Sequence, residues 1–156
     1  MNLAQLAVFS LLIIAICGDV TINQISGVTS NNLMFTGTID SGSSKLFFTY
    51  YGIDGETDRA KLSANPLIIG IGSPGRSAQY INLGGIGPKS LKNDMTLIDN
   101  PNSLTKKSNL MFLDTLGSGF SFASSSDEIP SDAKSYGVAL TKAINDFISG
   151  ADIGKS

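Results

Sequence analysis

The sequence predicts an α/β domain, and three observations carry that prediction. Two runs rich in aromatic and β-branched residues, 33–39 and 45–51, flank a Gly/Ser turn. Two apolar runs, 66–69 and 109–113, each lead into a glycine-rich loop. A last stretch, 132–149, repeats its apolar residues at helical spacing. Hairpin, strand, loop, strand and helix together make a short mixed sheet with a C-terminal amphipathic helix.

Residues 6–17 (LAVFSLLIIAIC) are apolar throughout except for Ser10. The run is too short for a bilayer span, which takes roughly 18 apolar residues or more. It fits the apolar core of a secretory signal, with Ala15 and Cys17 as small residues at −3 and −1 of a cleavage site. Residues 1–17 are therefore read as a signal peptide, with a retained anchor or a core strand as the alternative. Residues 18–32 are polar and form an extended lead-in, and 33–156 form the domain.

Asp40-Ser41-Gly42-Ser43-Ser44 supplies the turn chemistry of a hairpin. Residues 66–69 (PLII) read as a strand buried on both faces. A short helix is expected over 77–83, stopped by Gly84-Gly85, and a weak strand over 95–98. In the final helix Tyr136, Leu140, Ala143, Ile144, Phe147 and Ile148 share one face. Ser131 is its expected cap and Gly150 its stop.

Composition excludes several functions. The chain has no histidine, so a Ser-His-Asp triad cannot be assembled within these 156 residues. Cys17 is the single cysteine, which leaves no ordinary zinc set, and no metal site is expected. A net charge of −2 without a basic stretch gives no attraction to nucleic acid. Membrane association is expected only if the N-terminal segment is retained.

Two loops stand out. Gly70-Ile71-Gly72-Ser73-Pro74-Gly75 spells G-x-G-x-x-G after a strand, with Asp99 as a candidate ribose-binding acid. Against a dinucleotide site, the following helix has room for only about two turns, short of a βαβ crossover. Asp114-Thr115-Leu116-Gly117-Ser118-Gly119-Phe120-Ser121-Phe122 lacks the G-x-S-x-G setting of a nucleophile elbow. Taken alone, Gly72, Asp114 and Gly119 are read as shaping turns.

Taken together, the chain resembles the N-terminal part of the serine carboxypeptidase family, which has an α/β-hydrolase fold. Thr36-Gly37-Thr38-Ile39-Asp40 is similar to that family's Ser-Gly-Tyr strand, and Leu46-Phe47-Phe48-Thr49-Tyr50 to its Leu-Phe-Tyr-Trp-Phe strand. Asn65 to Ile69 followed by Gly72-Ser73-Pro74-Gly75-Arg76-Ser77 resembles Asp-Pro-Leu, an apolar strand and Asn-Gly-Gly-Pro-Gly-Cys-Ser-Ser. Gly87-Pro88 resembles Glu-x-Gly-Pro, and Asn100-Pro101-Asn102-Ser103-Leu104 resembles Asn-x-x-Ser-Trp. Asn109 to Asp114 with Gly117 to Phe122 is similar to Asn-hydrophobic-Leu-Asp-Gln-Pro-x-Gly-x-Gly-Phe-Ser-Tyr, and Phe147-Ile148 to a Phe-Leu on the next helix.

The resemblance implies a partial α/β-hydrolase-like domain that ends before the nucleophile strand, with no catalytic residue carried over. Gly72, Ser73, Pro74 and Gly75 would be a vestigial oxyanion and substrate loop, and Asp114, Gly117, Gly119 and Ser121 a vestigial second loop. Ile71 stands where the family's carboxylate-holding Asn is expected, and isoleucine cannot hydrogen-bond a carboxylate. Arg76 replaces the loop cysteine and Gly85 the glutamate of Glu-x-Gly-Pro. The function expected is a secretory carboxypeptidase-like protein without peptidase activity as written, in a binding or assembly role. The alternatives are the N-terminal part of a longer serine carboxypeptidase, or a small dinucleotide-binding protein. No cofactor is implied. Strand 110–113 is expected to leave an unpaired edge that recruits an unknown protein partner or a second copy.

Overall fold

The computed structural model describes residues 19–24 and 32–151. The expected signal peptide lies outside them. The strands of the described residues are β1 (Val20–Gln24), β2 (Met34–Ser41), β3 (Ser44–Tyr51), β4 (Leu67–Ile71), β5 (Lys89–Leu91), β6 (Leu97–Asp99) and β7 (Asn109–Leu113). Five of them form one mixed sheet in the order β1-β2-β3-β7-β4. Strand β7 pairs antiparallel with β3 and parallel with β4. The short helix α1 (Gln79–Ile81) lies towards one face of the sheet, and the long helix α2 (Ala133–Gly150) packs on the other.

The β2–β3 hairpin follows from its turn. Ser41 pairs with Ser44, which leaves Gly42-Ser43 as a two-residue loop, and Gly42 takes φ +64°. A glycine at the first loop position of such a turn matches the twist of the strands it joins. The polar lead-in contributes β1, which pairs with β2 in the register Val20↔Ile39. Its half-buried Val20 and Ile22 alternate with exposed Thr21 and Asn23, the period-two pattern of a strand wetted on one face.

The sheet's edge is not where the sequence places it. All five residues of β7 are buried between β3 and β4, so strand 110–113 is central and β4 carries the open edge. Nor is β4 buried on both faces, since Ile68 is 38% exposed. Both segments are unbroken apolar runs, and apolarity alone does not rank them within a sheet.

The core beneath α2 joins Phe35, Ile39, Phe48, Tyr50, Met111 and Phe147. The Phe147 ring meets Phe48 edge to face at 5.1 Å. Ala143 and Phe147 are buried as the periodicity predicts, but Ile148 is 60% exposed. One residue is about a 100° turn of the helix, which carries position 148 off the stripe. The N-cap is Asp132, not Ser131: its carboxylate accepts the N–H groups of Lys134 and Ser135, both at 2.9 Å, in a capping box with Ser135. Gly150 is the last helical residue rather than the stop beyond it.

Two other elements differ from expectation. Gly84-Gly85 does not stop the helix after residue 77; α1 runs on as a widened π-type turn over Asn82–Ile86. The strand expected at 95–98 is β6, which pairs with β5 in a hairpin off the main sheet. Met95 falls in its turn at φ +65°. Among the described residues no helix is long and apolar enough to cross a membrane.

Replacing Phe147 with alanine removes the ring that joins α2 to the sheet. The expected loss is about 3–5 kcal/mol of unfolding free energy, read from urea titration of wild type and variant.

Candidate functional site

The two glycine-rich loops meet because β4 and β7 are parallel neighbours. Parallel strands end on the same side, so the loop after Ile71 lies beside the loop after Leu113. The residue that joins them is Asp114, whose carboxylate is fully buried. One oxygen accepts Ala78 N–H at 2.6 Å and Ser77 Oγ–H at 2.7 Å; the other accepts Phe120 N–H at 2.9 Å. No Lys or Arg among the described residues forms an ion pair with it. Three donors therefore carry the burial of this charge.

The glycines serve that contact. A side chain on Gly119, at φ +56°, would fall inside the Asp114 carboxylate and against Ser77 Oγ. On Gly72 it would meet Arg76 C=O at 2.6 Å and Ala78 N at 3.0 Å. Gly117 takes φ +78° and packs on Ile129. Between them, Ser73 pairs with Arg76 across Pro74-Gly75, with Arg76 N–H donating to Ser73 C=O at 2.9 Å.

The hydroxyls are also engaged. Ser121 Oγ accepts Phe47 N–H at 2.8 Å and donates to Asp114 C=O at 2.9 Å. Ser118 Oγ donates to Thr115 C=O at 3.0 Å. Each serine closes a loop, and none has an imidazole beside it.

Several site residues escape sequence reasoning. Ser77 and Ala78 hold Asp114, yet Ser77 enters only as the end of a loop that resembles the family's, with no role attached, and Ala78 carries no signal. Tyr136, predicted only as a core residue, donates its hydroxyl to Gly72 C=O at 3.0 Å and ties α2 to the first loop. Glu128 pins the segment after the second loop to the β2–β3 hairpin. Its carboxylate accepts Ser43 Oγ–H at 2.8 Å and also takes the Ser44 hydroxyl. The Ser44 hydroxyl, with Ser124 and Ser43, holds the Glu128 carboxyl below its ordinary value.

The dinucleotide reading fails on this geometry. A pyrophosphate would need the free N–H groups at the start of α1. Ala78 N–H is taken by Asp114 and Gln79 N–H by Ser77 Oγ at 3.1 Å, so an internal carboxylate holds the place of an anion. Asp99 belongs to the separate β5–β6 hairpin, where it pairs with Lys89. Among the described residues no group of three His, Cys, Asp or Glu is placed to hold a metal.

A family model described as serine carboxypeptidase matches residues 27–153. The chain belongs to the serine carboxypeptidase family. It is similar to a pheromone-processing carboxypeptidase kex1 of Schizosaccharomyces japonicus, at 29% identity over 80% of this chain and 25% of that protein. It is also similar to serine carboxypeptidase S10 family member 1 of Dictyostelium discoideum, at 26% identity over 96% of this chain and 33% of that protein. The chain thus spans a quarter to a third of the length of these curated relatives. The fold matches the crystal structure of Kex1(delta)p, a prohormone-processing carboxypeptidase from Saccharomyces cerevisiae. Its TM-score is 0.62 at 21% identity, over 83% of this chain and 30% of that one. The mixed sheet with its helices is accordingly part of a carboxypeptidase fold.

Two tests arise from the loop geometry. Gly119→Ala forces the loop off Asp114, with the φ penalty added to a clash. The Ala78 and Phe120 amides are then expected to exchange hydrogen faster, by at least about tenfold if roughly 1.4 kcal/mol is lost locally. Glu128 sets a pH dependence. Because its folded-state value is depressed, its contribution is fully present above the ordinary carboxylate range and is lost as pH falls through the depressed value. Protection against amide exchange in residues 121–129, taken relative to the intrinsic rate at each pH, should fall over that acid window in wild type, and the Glu128→Gln variant should lack the transition.

Proposed function

We propose that this chain is a serine carboxypeptidase-like domain of the secretory route that does not hydrolyse peptide bonds by itself and acts in binding or assembly. The observation that supports this most is the state of the second loop. Ser121 bridges two backbone groups, and the Asp114 carboxylate is filled by three donors. Acyl transfer needs a nucleophile, a base and oxyanion donors aimed at one reacting carbon. The 156 residues hold no histidine to serve as that base. The first loop adds Ile71 where the family resemblance expects an asparagine that holds a carboxylate, and isoleucine cannot do so. The reading of residues 1–17 as a signal peptide belongs with this proposal.

A second reading is the N-terminal part of a longer serine carboxypeptidase, and one feature favours it. The end of α2 lies beside the start of the open strand: Ile148 and Ala151 line one groove with Leu67 and Asn109. A strand entering after α2 from that point would run parallel to β4 by the right-handed crossover such sheets use. The intact mass of the native protein separates the two readings.

Incubated with an N-blocked dipeptide at acid and neutral pH, the purified chain should release no C-terminal amino acid above the protein-free control. Release that scales with protein and survives repurification would refute the proposal.

A further inference from the structure

We draw no further inference here: the strongest candidate, the exposed apolar patch on the β5–β6 hairpin, where Leu91 stands opposite Leu97 and Met95 occupies the turn, carries none because nothing in the structure shows what covers it.

Discussion

The buried carboxylate of Asp114 organises this half of the molecule. It sits at the end of the central strand, where β7 gives way to the second loop. From there it gathers one hydroxyl and two amides from segments that share no hydrogen-bonded ladder. An unpaired charge in that position would be strongly destabilising, and so would the donors without it. The backbone of both loops is therefore constrained from a single point. Gly72 and Gly119 are glycine because the backbone must pass within contact distance of that assembly.

The hydroxyls of the second loop are likewise taken up in holding the backbone. Ser121 lies on the loop that the family resemblance singles out, yet its oxygen stitches β3 to Asp114. The Lys45–Phe122 pair then extends β3 by one further rung, with both bonds at 2.8 Å. Glu128 anchors the stretch beyond Phe122 to the hairpin. Membership in the serine carboxypeptidase family is a statement about this scaffold; chemistry needs groups that the scaffold has free to offer.

Much of this was legible in the sequence, and the parts that were not share a cause. The hairpin was readable because Gly42-Ser43 lies between two strand-like runs, and α2 because its apolar spacing persists over several turns. Those are local signals. Sheet order is not local: residues 66–69 and 109–113 look alike as strings, and only their partners decide that β7 is central and β4 the edge. Ile148 belongs to a plausible helical stripe, but the width of the stripe is set by how much of the sheet α2 covers. Asp114, Gly72 and Gly119 were readable as turn residues. That Asp114 draws its donors from Ser77 and Ala78 required knowing which loops lie side by side, and a tyrosine at position 136 gives no hint that its hydroxyl reaches residue 72.

That last bond bears on the order in which the protein can be made. The first loop leaves the ribosome early, yet the groups that hold it come late: Asp114 is 37 and 36 positions beyond its partners Ser77 and Ala78, and Tyr136 is 64 positions beyond Gly72. A nascent chain that has reached only β4 can close the β2–β3 hairpin but owns none of the groups that shape the loop after it. Synthesis must deliver β7 and the first turns of α2 before that loop has a defined form, so a segment made early is among the last to settle.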